Sequence, residues 1–199
     1  DLNDDGILDL AIVHQVTAGV WVLLGNGDAT FALKQAQGSG LTPLAVALAD
    51  LDRDGMLDVA IANSGSNSVS VYLGRGDGTL DPRVDYPCNS QPEAIAAADL
   101  DADGALDLLV ANTRSSVVSV LSGDGDGSFA APQILAWPQE PGALAGADLD
   151  GDGVLDVATT DGWYGGNSVW VHRGLGAFQT DVVAEFGTGR DPVDVVAAD

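Results

Sequence analysis

The sequence predicts an all-β fold, a β-propeller of four-stranded blades with about four blades in the chain. Three observations carry that prediction. An Asp-rich segment of nine residues recurs at 1–9, 50–58, 99–107 and 148–156, with starts 49 residues apart. Pro43, Pro92, Pro141 and Pro192 keep the same phase, and so do Gly25, Gly74, Gly123 and Gly174. Between these markers lie short apolar or alternating runs bounded by Gly, Asn and Asp, the pattern of strands and tight turns. A period of roughly 45–50 residues with four strands per unit is the signature of propeller blades. The chain therefore reads as a single propeller region, 1–199, of repeats 1–49, 50–98, 99–147 and 148–198, and a fifth repeat begins at Asp199.

The second repeat shows each element in order. Ala-Val-Ala-Leu-Ala at 45–49 is the innermost strand, where a crowded axis favours small side chains; Ala49, Ala98, Ala147 and Ala198 hold the same place. The related run at 93–98 contains good helix formers. At about seven residues between a Pro and an Asp-Gly loop it is shorter than a typical helix, so a strand is expected. Residues 58–62 form the second strand, 63–67 a turn, and 68–73 alternate as a half-buried third strand should. The run 74–78, Gly-Arg-Gly-Asp-Gly, is a hairpin whose Gly and Asp supply positive-φ positions. A weaker outer strand is expected near 79–86.

Composition limits the function classes. With 30 acidic and 7 basic residues the formal charge is −23, yet 46% of the chain is apolar, which separates it from acidic disordered sequences. A polyanion needs Lys/Arg clusters, and none is present, so nucleic acid is not an expected partner. No apolar run approaches the roughly 18–20 residues of a bilayer span, so no membrane insertion is expected. The single Cys88 excludes an internal disulfide framework and a cysteine-based zinc cluster. The chain begins at Asp1, inside a motif, so the natural N-terminus is expected to lie elsewhere.

The Asp loops are the chemical feature. Side-chain oxygens stand at position 1 (Asp1, Asp50, Asp99, Asp148), position 3 (Asn3, Asp52, Asp101, Asp150), position 5 (Asp5, Asp54, Asp103, Asp152) and position 9 (Asp9, Asp58, Asp107, Asp156). Position 6 is Gly in every copy, permitting a sharp turn. Position 7 (Ile7, Met56, Ala105, Val154) varies in side chain but offers its carbonyl. Such an all-oxygen cage favours Ca²⁺ over Zn²⁺, and over Mg²⁺, which keeps more waters. A solvated acidic turn explains one copy but not four, because carboxylates crowded this closely repel without a cation. About four Ca²⁺ per chain are expected, and their +8 would bring −23 to −15. An EF-hand is excluded: its position-12 Glu is replaced by Ile12, Ile61, Val110 or Thr159.

The loops Asp-x-Asp-x-Asp-Gly-x-x-Asp, and the hairpins Gly-x-Gly-Asp-Gly-x-Phe as at 123–129, resemble the FG-GAP/VCBS family, the repeats of integrin α-subunit propellers and of many bacterial surface and fungal lectin propellers. The resemblance covers the whole chain. It implies a propeller usually of seven blades, with calcium between the first and second strands of a blade. The fourth repeat departs, since Gly174-Leu175-Gly176-Ala177-Phe178 lacks the hairpin Asp and two residues. Four repeats fall short of seven blades. The segment is thus expected to belong to a larger propeller, seven-bladed in one polypeptide or eight-bladed from two chains; residues 191–198 closing a four-bladed ring is the further alternative.

In an up-and-down blade, the Asp loops and the hairpins share one face, and the other face carries the second-to-third and fourth-to-first loops. Calcium is expected to be structural, with folding linked to it. A protein or glycan ligand is expected on the opposite face, where connecting loops vary. Candidate contacts are His14, Arg114, Trp163 and Tyr164 in second-to-third loops and Tyr86 and Trp137 in fourth-to-first loops; packing between blades is the plainer role for the aromatics. Trp21 and Trp170, at equivalent strand positions, are read as blade packing, and Phe31, Phe129 and Phe178 as core. His14 and His172 are read as loop or surface residues and Cys88 as an incidental loop thiol. Arg75-Gly76-Asp77 is read as part of the hairpin rather than an adhesion tripeptide. No catalytic constellation emerges, so no enzyme activity is expected. The expected function is an extracellular or cell-surface adhesion or binding scaffold. Its rivals are a lectin, a non-catalytic module of a polysaccharide-active enzyme, and a surface-layer or filament protein.

Overall fold

The computed structural model describes residues 1–136, 140–161, 166–176, 179–190 and 192–197, and within them the fold is all-β. Strands β1 (Leu10–His14), β2 (Gly19–Gly25) and β3 (Phe31–Gly38) form a three-stranded antiparallel sheet. The second sheet has four strands: β4 (Pro43–Ala49), β5 (Asp58–Asn63), β6 (Ser68–Tyr72) and β7 (Val84–Pro87). The third holds β8 (Pro92–Ala98), β9 (Asp107–Asn112), β10 (Val117–Leu121) and β11 (Gln133–Ala136). The fourth holds β12 (Pro141–Ala147), β13 (Asp156–Asp161), β14 (Ser168–Gly174) and β15 (Thr180–Gly187). Each sheet is an up-and-down blade, and together they form an open propeller arc in which β1 lies beside β4, β4 beside β8 and β8 beside β12.

The run at 93–98 is strand β8, paired with β9, so its helix formers are overridden by the sheet around them. The outer strand is shorter than expected in two blades. Gly74 bridges Leu80 and Gly123 bridges Phe129, but regular pairing resumes only at Val84 and Gln133. Pro82 and Pro132 interrupt these runs, because proline cannot donate to a ladder. Blades one and four lack that proline and keep outer strands of eight residues each.

The core lies between blades rather than within one. Alternation sends Val59, Ile61 and Tyr72 toward Val20 and Val22 of the first blade, while Ala60, Ala62, Val69 and Val71 meet Ile95, Leu108 and Val110 of the third. Leu109, Ala111 and Val118 in turn meet Leu144 and Val157 of the fourth. Tyr72 is fully buried and donates its hydroxyl to the Gly38 carbonyl at 2.8 Å, tying two blades. Tyr72→Phe is expected to destabilise the chain by about 1 kcal/mol, since it removes one interblade hydrogen bond without opening a cavity while Arg83 Nη1, at 2.7 Å, still donates to the Gly38 carbonyl; urea unfolding reads this directly.

Candidate metal centre

The last three Asp loops connect a blade's inner strand to its second strand, the first leads into β1, and each is built by its own carboxylates. The position-1 carboxylate gathers the turn's amides: Asp50 Oδ1 accepts from Asp54 N at 3.1 Å and Oδ2 from Gly55 N at 3.0 Å. Asp148 does the same with Asp152 N and Gly153 N, at 3.2 and 2.9 Å. Asp99 Oδ2 accepts from Gly104 N at 2.9 Å and Asp1 Oδ2 from Gly6 N at 2.6 Å. Position 3 accepts from the amide of position 5, as in Asp52 with Asp54 N at 3.1 Å. Position 5 caps position 7, as in Asp54 Oδ1 with Met56 N at 2.8 Å.

The result is convergence of oxygens. Ligand atoms of Asp50, Asp52 and Asp58 lie within 4.8 Å of one another, as do those of Asp99, Asp101 and Asp107, and of Asp148, Asp150 and Asp156. These clusters can hold a metal ion. The donor set fits a hard cation, being oxygen throughout. Asp99 Oδ1, moreover, is a buried oxygen with no hydrogen-bond donor among the described residues, and a cation would satisfy it. Position 5 stands outside the three clusters, with its Oδ1 accepting from the position-7 amide. In the first loop, Asn3 replaces the second carboxylate and donates to Asp5 Oδ2 at 2.9 Å, leaving one negative charge fewer.

Position 9 has a second task that its side-chain type does not announce. Asp58 is fully buried; its Oδ2 accepts from Leu51 N and its Oδ1 from Gly74 N, both at 2.7 Å. The same two bonds recur at Asp9 (2.7 and 2.8 Å), Asp107 (2.9 and 3.0 Å) and Asp156 (2.8 and 2.9 Å). This carboxylate therefore straps the start of the Asp loop to the third-to-fourth hairpin, which places both on one face, as expected. Burial pushes the Asp58 carboxyl up to about 6 against the pull of its two amides, and the neighbouring charges of Asp52 and Asp54 add to that rise. Burial raises Asp107 too. A bound cation opposes that rise.

Two backbone requirements were only partly legible. Gly55 at position 6 has φ +87°, as expected, but position 4 is left-handed as well, with Asp4, Arg53 and Ala102 at φ 56°, 63° and 61°. Only Gly151 signals this in the sequence. The hairpin's first glycine is not needed for positive φ. A Cβ at Gly74 would stand 2.2 Å from the Leu57 carbonyl oxygen, and one at Gly123 2.2 Å from that of Leu106. Gly123→Ala is therefore expected to destabilise by about 1–3 kcal/mol through backbone displacement, measurable by thermal melting.

The opposite face is laced tightly. Ser64 N and Gly65 N donate to the Thr42 and Leu41 carbonyls, both at 2.9 Å, and Leu41 N donates to Ser66 Oγ at 2.7 Å. Arg114 is exposed there, in a single 3₁₀ turn, Thr113–Ser115. His14 ends β1, half-buried, edge-on to Trp21 with centroids 4.8 Å apart. Tyr86 lies on β7 rather than in the following loop, and packs edge-on against Phe129 at 5.4 Å. Trp137, Trp163 and Tyr164 lie outside the described residues, as does Phe178.

Four other expectations need correction or gain a cause. His172 is a buried strand residue on β14, not a surface one, and burial lowers its pKa. Trp170 packs against the interblade core, but Trp21 and Phe31 are substantially exposed because, among the described residues, no blade covers that side of the first sheet. Cys88 packs against the second interblade core, and burial pushes its thiol up to about 12, so it is poorly nucleophilic. In Arg75-Gly76-Asp77 both charges are engaged internally: Arg75 with Asp81, and Asp77 with Thr79 N at 2.9 Å.

The FG-GAP-like repeat model matches residues 1–61, 50–110 and 99–159, in the same 49-residue steps. No curated protein matches the chain. Among solved structures it is similar to an Agrocybe aegerita lectin that specifically recognises non-reducing terminal N-acetylglucosamine, with TM-score 0.62 and 23% identity over 92% of this chain and 50% of that one. A functionally unknown protein from Desulfotomaculum acetoxidans gives TM-score 0.68 and 12% identity over 96% and 56% of the two chains. The Photorhabdus luminescens Tc holotoxin pore gives 0.51 and 23% over 96% and 9%. These likenesses are of fold. The chain spans about half the length of the lectin and of the Desulfotomaculum protein.

Proposed function

The chain belongs to the FG-GAP-like repeat family, and we propose on that footing that it is a calcium-stabilised propeller serving as an extracellular binding or adhesion scaffold. The observation that carries the calcium reading is the recurrence of three convergent Asp carboxylates, at positions 1, 3 and 9, in successive loops. Asp50, Asp52 and Asp58 would hold one ion, with their counterparts in the third and fourth loops holding others, and Asp1, Asn3 and Asp9 a fourth. Bound calcium supplies positive charge to loops that otherwise crowd carboxylates at one face. The chain's own residues do the rest: position 1 shapes the turn, and position 9 ties it to the hairpin.

Asp52→Ala removes a ligand while leaving the buried strap of Asp58 in place. Isothermal titration with calcium is expected to show one ion fewer per chain than the unsubstituted protein. Unchanged stoichiometry would place the ions elsewhere.

The opposite face is the proposed ligand surface. Its support is the interlocked, rigid arrangement of 39–42 against 63–66, with Arg114 exposed on the same side. The ligand is a protein or a glycan, and the lectin among the fold neighbours makes glycans the first class to test. A broad glycan array probed with calcium present is expected to give hits; none across the panel would favour a protein partner. Location outside cells accords with the millimolar calcium that modest-affinity oxygen sites need. Among the described residues, no helix is long and apolar enough to cross a membrane.

A further inference from the structure

The nine-residue Asp loops contain a single basic residue, Arg53, at position 4 of the second loop; the other copies carry Asp4, Ala102 and Gly151 there. Its side chain leaves its own loop. Nε donates to the Gly104 carbonyl at 3.1 Å, and Nη2 stands 3.8 Å from Asp103 Oδ1, both in the third loop. The left-handed backbone at Arg53, φ 63°, is held by Asp50, which accepts from Asp54 N and Gly55 N. A guanidinium is thereby carried from one Asp loop onto the next.

The third blade is shaped to receive it. In the first and second blades the middle glycine of the hairpin faces the position-7 side chain of the same blade. A Cβ at Gly27 would lie 3.5 Å from Ile7 Cδ1, and one at Gly76 2.7 Å from Met56 Sδ. In the third blade position 7 is Ala105, a short side chain, and Arg53 of the preceding blade takes that place over Gly125. A Cβ at Gly125 would stand 2.8 Å from Arg53 Cζ. Ala105 is 1% exposed, whereas Met56 is 38% exposed.

We propose that Arg53 is a tethered cation that sets the calcium affinity of the third loop. It offsets that loop's carboxylates when calcium is scarce and weakens calcium binding there when calcium is present. This rests on the calcium reading of the Asp loops. The sign follows from charge and position. Arg53 meets the position-6 carbonyl and the position-5 carboxylate, neither of which belongs to the cluster of Asp99, Asp101 and Asp107. Asp99 Oδ1 still has no hydrogen-bond donor among the described residues, so Arg53 leaves the ligand oxygens open while adding a positive charge beside them. Arg53 and Asp103 are each about half exposed. Solvent and salt therefore screen the repulsion, which lowers affinity by a factor of about three.

A calcium titration followed by the backbone amide resonances of Gly104 and Gly153 reads the third and fourth loops separately. Each amide donates to the position-1 carboxylate of its own loop, at 2.9 Å in both. Arg53→Gln removes the charge but keeps a donor. It is expected to bring Gly104 to half-saturation at about threefold less calcium, with Gly153 unchanged. Arg53→Lys keeps the charge and is expected to stay at the parent value. The gap between parent and Arg53→Gln should close at about 1 M salt, where the screening length falls to about 3 Å; a packing role would not respond to salt in this way. Unchanged or weaker third-loop binding in Arg53→Gln, an equal gain in Arg53→Lys, or a gap that persists at high salt overturns the proposal alone. A parent chain whose loop amides do not respond to calcium overturns it together with the calcium reading.

Discussion

Removing calcium is expected to lower the melting temperature of this protein by roughly 20 °C or more. A cation held only by the native loops stabilises the native state by about 2.7 kcal/mol for each site at a hundredfold excess over its dissociation constant. At this chain length each kcal/mol moves the midpoint by about 2–4 °C. Four loops acting together therefore outweigh any single side chain in the structure. The sign follows from the oxygens: without a cation, the carboxylates at positions 1, 3 and 9 lie within 4.8 Å of one another in the last three loops. Differential scanning calorimetry in chelator against millimolar calcium measures the shift. Coincident transitions would remove calcium from the account of stability.

Asp107→Ala is expected to be the most damaging single substitution, costing about 3–5 kcal/mol. Asp107 is buried, accepts from Leu100 N at 2.9 Å and Gly123 N at 3.0 Å, and belongs to the Asp cluster of the third loop. Its loss leaves two buried amides without acceptors, each costing about 1–3 kcal/mol. That penalty persists in chelator, where the metal contribution is already gone. Asp101→Ala, which removes a ligand at the same cluster but no buried strap, should lose most of its effect in chelator. Chemical denaturation of the two variants with and without calcium separates strap from ligand. Equal costs for both in chelator would mean that position 9 acts only through the ion.

Much of this architecture was legible because repetition converts weak local signals into a strong one. A single Asp-Gly loop or Ala-rich run has several readings, but recurrence at a fixed 49-residue step leaves few. Blade boundaries, the common face of loops and hairpins, and the clustering of carboxylates at positions 1, 3 and 9 of the last three loops followed from it. The strap was not legible, because an Asp that accepts two backbone amides looks the same in sequence as one that waits for a metal. Position 4 of the loop hid its left-handed backbone behind Asp4, Arg53 and Ala102, residues that do not announce a positive φ. Gly76, Gly78, Gly125 and Gly127 supply the positive φ expected of the hairpins, but Gly74 and Gly123 have another reason: they lack room for a Cβ beside a carbonyl, a close approach that only three dimensions reveal. His172 was misplaced because a polar residue inside a strand carries no mark of which side is covered. The exposure of Trp21 and Phe31 depends on a neighbour beyond the first sheet, which no local pattern can encode.

The central claim is that the Asp loops are calcium sites that hold the blades together. Native mass spectra of the 199-residue chain, recorded from calcium solution and again after chelation, test it most directly. The account predicts a compact, low-charge species carrying about four Ca²⁺ per chain, replaced after chelation by broad, highly charged ions of unfolded chain. A compact, calcium-free chain under both conditions would contradict it.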